Sequence, residues 1–216
     1  MSDKNIQDEQ NDNFMEMDEK KLTKDQLLKK KTFEYIIGHQ KFLQNDCEIE
    51  ELEVKDSKLK NAGKGLFTNI DIPKDNVICF YPVKLIQDLE FPDVFYKDGE
   101  PTPFTPDKTE ENVQLIYNSD YNMNIEKFRI ITDNYIPKNQ IYVAHIPNDR
   151  AYHPDKTYKP QLNNCRFEGL NLVSTREIKA GEELTTTYGK QYWYSDFETE
   201  TGELRKSRHH VIKNKD

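Results

Sequence analysis

Three stretches of this 216-residue chain hold residue types whose spacing could do chemistry. The first is Gly63-Lys64-Gly65, followed by the apolar Leu66-Phe67. Glycines on either side of a lysine let the backbone approach a ligand closely. The third glycine of a dinucleotide fingerprint is absent, and an apolar strand follows where a helix should, so this is not a nucleotide-binding βαβ unit. Alone, the segment also reads as an ordinary tight turn. The second stretch is Ala144-His145-Ile146-Pro147-Asn148-Asp149. The third opens with Asn163-Asn164-Cys165, passes through Arg176-Glu177-Ile178-Lys179-Ala180-Gly181-Glu182-Glu183-Leu184, and closes at Tyr188-Gly189. No Ser-His-Asp set, carboxylate pair or metal cluster is visible. His153, His209 and His210 do not have the spacing of a ligand set.

The elements that must position these residues read mostly as short strands. Val77–Tyr81 is a continuous apolar run after a Pro73-Lys74-Asp75-Asn76 turn. Further strand-type runs are Val113–Tyr117, Phe128–Thr132, Gln140–Val143, Asn164–Phe167, Leu170–Arg176 and Glu183–Tyr188. A turn at Lys179–Glu182 precedes the last of them and echoes the one at Pro73. The alternation in Ile49–Lys55 predicts an exposed edge strand, acidic enough to meet water or a basic substrate. Residues 88–112, rich in proline and charge, predict a long irregular loop or an insertion. Upstream, Thr23 and Gln26 have capping-box spacing. Leu28, Tyr35 and Phe42 recur every seven residues beside Ile36 and Leu43, which predicts a helical face from 24 to 44. Packing on the outside of the domain is expected for it, with a partner-binding helix as the alternative.

Residues 1–21 are charged, without apolar periodicity, and read as a disordered tail. Residues 22–46 form the helical region, 47–194 the main domain with insertions at about 88–140 and 150–162, and 195–216 a polar, basic tail. The net charge of −8 disfavours direct nucleic-acid binding and suits a basic protein partner. No stretch approaches the ~20 apolar residues of a membrane span, and the N-terminus has no signal-peptide core. Three cysteines, Cys47, Cys79 and Cys165, without a CxxC pair fit a reducing compartment, nucleus or cytoplasm.

The order Gly63–Ile78, Ala144–Asp149, Asn163–Phe167 and Leu172–Gly189 resembles the SET domain, the fold of many protein-lysine methyltransferases. The resemblance covers residues 49–194. The compact ending Tyr188-Gly189-Lys190-Gln191-Tyr192-Trp193 is similar to small SET proteins, viral ones included. The resemblance implies a mainly β, β-clip-like fold of several small sheets with a threaded C-terminal segment, plus the N-terminal helix. It implies S-adenosylmethionine as cofactor, a lysine-bearing protein such as a histone tail as substrate, and a nuclear location (the host nucleus for a viral protein). Tyr188 matches the catalytic tyrosine. Lys64, Gly65 and Leu66 match the cofactor-contacting turn, Asn148 and Asp149 the family's Asn-His pair, and Asn164 its later Pro-Asn element. Tyr142 and Tyr81 are candidates to line the expected lysine channel, with Thr186 beside the catalytic tyrosine in sequence. Trp193 or Tyr192 is expected near the adenine. A homodimer is compatible with the family.

Such a site needs no strong general base. A lysine amine has a pKa near 10.4 in water, and an apolar channel beside a positive sulfonium lowers it. Alignment and a polarised oxygen cage are then the main tasks. Three departures from the family pattern stand out. Asp149 lacks the imidazole, about a dozen extra residues (152–162) follow it, and Thr186 stands where a Phe or Tyr is common. The small Thr186 leaves room for water or for extra methyl groups. No cysteine follows Cys165, so the zinc-binding post-SET element is absent from this sequence.

Overall fold

The computed structural model describes residues 18–42, 51–60, 62–97, 99–103, 122–132, 142–151, 158–189, 192, 197–198 and 204–205. The order is helix α1 (Lys24–Phe42), then strands β1 (Leu52–Asp56), β2 (Lys64–Thr68), β3 (Val77–Phe80), β4 (Leu85–Asp88), β5 (Val94–Lys97) and β6 (Glu100–Pro103). β7 (Asn122–Ile125), β8 (Phe128–Ile131), β9 (Cys165–Glu168), β10 (Asn171–Ser174), β11 (Glu183–Leu184), β12 (Phe197–Glu198) and β13 (Leu204–Arg205) follow. All the ladders are antiparallel. The mainly β fold of small sheets with one N-terminal helix is therefore as the sequence implies. No described helix is long and apolar enough to cross a membrane. Contacts divide the chain into two units, 1–45 with 83–134, and 46–82 with 135–216.

The first unit is α1 and the five-stranded sheet β6-β5-β4-β8-β7. The Thr23–Gln26 capping box forms as expected. Gln26 N–H donates to Thr23 Oγ1 at 3.2 Å, and Thr23 N–H to Gln26 Oε1 at 3.0 Å. The buried helix face keeps Ile36 of the expected one but not Leu28 and Tyr35, and the side chains of Phe42 and Leu43 lie outside the described residues. Leu28 and Tyr35 are exposed, whereas Lys29, Phe33 and Ile36 point inward. The reason is electrostatic as well as apolar. Lys29 Nζ meets Asp88 Oδ2 at 2.6 Å and lies 4.9 Å from the Phe91 ring centroid. That counter-charge lets the lysine stem share a face with Phe33, whose ring packs on Tyr96 and Phe128. Strand alternation sends Leu85, Phe95 and Ile131 to the opposite face, where they form a second buried cluster.

The irregular loop expected at 88–112 is corrected: β5 and β6 occupy 94–103, pairing Val94 with Pro103 and Lys97 with Glu100. Pro101 and Pro103 sit on the outermost strand, where a missing N–H is tolerated. Val113–Tyr117 lies outside the described residues.

The second unit carries the candidate site. β1-β2-β11 form one sheet and β3-β10-β9 another. Leu66, Phe67, Cys79, Leu170, Leu172, Ile178 and Leu184 are fully buried. The two echoing turns face each other: Ile72 and Ile178 exchange both backbone bonds, at 2.8 and 2.9 Å. Tyr142 and Val143 are buried but not in a strand, contrary to expectation, and Ala144 N–H bonds Phe80 C=O at 3.1 Å instead. Two segments read as tails hold structure. Glu19–Lys21 is a 3-10 turn with Asp18 as its cap, and β12 pairs with β13.

Candidate active site

β11 continues into residues 185–189, which run between two other segments of the second unit. On one side Thr186 N–H donates to Asn148 C=O at 2.9 Å, in a parallel bridge of Asn148 with Thr185. On the other, Cys165 N–H donates to Thr185 C=O at 2.9 Å. Asn164 fastens this side: its Nδ2 donates to Glu183 C=O at 2.9 Å and its Oδ1 accepts Thr185 N–H at 2.8 Å. A backbone with no regular ladder satisfies its buried amides this way, through an asparagine that mimics a neighbouring strand.

Tyr188 is gripped at both ends by one tripeptide. Its hydroxyl donates to Pro147 C=O at 2.9 Å, and its N–H donates to Asp149 Oδ2 at 2.9 Å. Its ring meets Tyr192 edge-on at 4.8 Å. Asp149 is buried, and its other oxygen accepts Ala151 N–H at 2.7 Å and Asn163 Nδ2 at 2.8 Å. Tyr158 O–H reaches Asp149 Oδ2 at 3.2 Å and also touches the Thr187 hydroxyl. Burial raises the Tyr158 phenol above its ordinary pKa, so it stays protonated.

The glycine turn joins the same network. Asn148 Nδ2 donates to Lys64 C=O at 2.8 Å and to Glu183 Oε1 at 3.3 Å, which occupies both amide hydrogens. The buried Glu183 carboxylate also accepts Ser57 Oγ at 2.5 Å and Lys58 N–H at 2.8 Å. Lys64 itself turns outward to Asp56 at 2.7 Å, so its backbone, not its ammonium, faces this network. Leu66 is buried between β1 and β11, opposite Val54 and Leu184.

Lys64, Gly65, Asn148, Asp149, Asn164, Thr186 and Tyr188 thus come together. Thr186 is buried, and its hydroxyl has no hydrogen-bond partner among the described residues. Tyr142 is buried and packs on Phe80 at 5.8 Å, and Tyr81 lies edge-on to His145 and Phe167. Trp193 lies outside the described residues. Among the described residues no group of His, Cys, Asp and Glu could hold a metal ion. Sequence reasoning missed Glu183, Asn163 and Tyr158. A glutamate in a Gly-Glu-Glu-Leu turn reads as solvated, and Gly65, whose missing side chain leaves room for this carboxylate, was the available signal. Tyr158 carries no signal within the inserted segment.

A search among curated proteins finds no match. The family model of the SET domain matches residues 63–189, more than half of the chain, and spans the bonds from Lys64 to Gly189. The chain belongs to the SET-domain family.

Proposed function

We propose that this SET protein is an S-adenosylmethionine-dependent protein-lysine N-methyltransferase. The observation that carries the reading is the hydrogen bond from Tyr188 to Pro147. A phenol has one O–H to donate, and here Pro147 takes it. Toward an entering lysine the Tyr188 oxygen acts as an acceptor, which orients an amine by its N–H and leaves the nitrogen lone pair for attack.

The residues brought together fit the cofactor. The groups gathered around Tyr188 offer oxygens: the Pro147 carbonyl, the Tyr188 and Thr186 hydroxyls and the Asp149 carboxylate. Such a set suits a cation, and Lys64 keeps its own charge turned away. When bound, S-adenosylmethionine supplies an electrophilic methyl group. The backbone of Lys64–Leu66 and of Pro147–Asp149 would hold it, because the side-chain amide of Asn148 is occupied by Lys64 and Glu183 and that of Asn164 by Glu183 and Thr185. The Thr186 hydroxyl, without a partner among the described residues, offers a place for a water or a further methyl group, which supports di- or trimethylation.

The net charge of −8 and the exposed Glu51 and Glu53 support a basic substrate such as a histone tail. The test is calorimetric titration of the purified chain with S-adenosylhomocysteine, then labelled methyl transfer to lysine-rich proteins. Micromolar binding with transfer is expected. A folded chain that neither binds nor transfers would instead be a non-catalytic SET module.

A further inference from the structure

The family pattern expects an imidazole after Asn148, and this chain has a carboxylate there and extra residues beyond it. The structure joins these two departures. Asp149 Oδ2 accepts the Tyr188 N–H at 2.9 Å and the Tyr158 O–H at 3.2 Å, and the Tyr158 oxygen accepts the Gly189 N–H at 3.1 Å. We propose that Asp149 and Tyr158 form a positioning pair that stands in for the missing imidazole by holding the two successive amides of Tyr188 and Gly189. The inference rests on the methyltransferase reading for its catalytic consequence, but not for its geometry.

The pair works because the partners differ in capacity. A carboxylate has about four acceptor positions. Ala151 N–H and Asn163 Nδ2 lock one oxygen of Asp149, so the other is fixed where Tyr188 begins. Tyr158 then extends that anchor by one residue. Gly189 needs it: its φ of +86° is a left-handed turn, and two oxygens, Tyr158 Oη and Thr187 Oγ1, each accept its N–H at 3.1 Å. With the N–H of Tyr188 held by Asp149 and its hydroxyl by Pro147, the ring between has little freedom to swing. Tyr158 touches no reacting atom. It acts through Asp149 and the Gly189 amide.

The experiment compares the full chain with Tyr158→Phe, which keeps the ring and removes the hydroxyl. Two readouts are taken. In amide hydrogen exchange by NMR, the Gly189 amide is expected to exchange at least tenfold faster in the variant. The buried β10 amide of Leu172 stays unchanged and certifies the fold. In methyl transfer to a lysine-rich protein, kcat is expected to fall at least tenfold with KM unchanged, a split that general destabilisation would not produce. Unchanged Gly189 exchange overturns the proposal, and so does an unchanged kcat. Should the wild type transfer no methyl groups, the methyltransferase reading fails by itself, and the exchange rate alone decides the positioning pair. If Phe at 158 unfolds the chain, Asp149→Asn keeps the side-chain shape and removes the acceptor of the Tyr188 N–H, and is expected to speed exchange of the Tyr188 amide at least tenfold. Unchanged exchange there overturns the pair.

Discussion

A Cβ built on Gly65 would lie 3.0 Å from Cδ of Glu183 and closer still to its Oε1. Glycine is present because a buried carboxylate fills the space where a side chain would stand. That carboxylate also holds Ser57, Lys58 and Asn148. Gly65→Ala must displace it, at a cost of about 1–3 kcal/mol for overpacking. Urea denaturation should show the loss, and calorimetry should show S-adenosylhomocysteine bound at least tenfold more weakly. Wild-type affinity in the alanine variant would mean that the turn has no part in holding the cofactor.

Tyr188→Phe removes one hydroxyl and the bond to Pro147. The fold should persist, since one hydrogen bond contributes about 1 kcal/mol. Turnover should drop on the order of 10²-fold, the scale set by losing one aligned polar group in an active site. Full activity in a purified sample would remove Tyr188 from the mechanism.

Thr186→Val replaces a buried hydroxyl that has no partner among the described residues by a methyl of the same shape. Relieving that desolvation should stabilise the chain by about 1 kcal/mol. Mass spectrometry of the product should show a lower share of the higher methylation states. A less stable variant would mean that the hydroxyl is bonded in solution.

The buried Lys29–Asp88 pair of the first unit gives a test of stability alone. Asp88 is 1% exposed and also accepts the N–H groups of Glu90 and Phe91. Lys29→Met strands the carboxylate and should cost about 3–5 kcal/mol. Lys29→Met with Asp88→Asn should recover part of that. A single variant as stable as the wild type would show that the pair contributes nothing.

Alkali should destabilise the protein through its buried thiols. Burial pushes the Cys165 thiol from 9.0 up to about 12, and the Cys79 thiol well above its ordinary value. The unfolded chain releases these protons above about pH 9 while the folded chain keeps them. Stability is therefore full below pH 9 and falls as the pH rises from 9 toward 12. Urea midpoints at pH 7, 9 and 10.5 should decline, and Cys165→Ala should flatten the decline. A level profile in the wild type would contradict the buried thiols.

Much of this could be read before any coordinates. Tyr188, Asn148 and Asn164 were legible through the resemblance of their segments to the SET domain, and the Thr23–Gln26 spacing marks the start of α1. What escaped notice depends on partners far along the chain. Lys29 faces inward only because Asp88 awaits it 59 residues later, so hydrophobic spacing favoured Leu28 and Tyr35 instead. β5 and β6 hide in a proline-rich run because an outer strand tolerates proline. Glu183 and Tyr158 look like surface residues until Gly65 and Asp149 are placed beside them.

The sheet of β4 to β8 begins and ends on one antiparallel pair, with Leu85 opposite Ile131 and Lys84 N–H bonded to Ile131 C=O at 3.2 Å. Its entry and exit points are therefore neighbours. A module attached through adjacent ends can be lengthened, shortened or exchanged between lineages without reopening the chain around Tyr188. Every bond described for that tyrosine is made by residues outside the module.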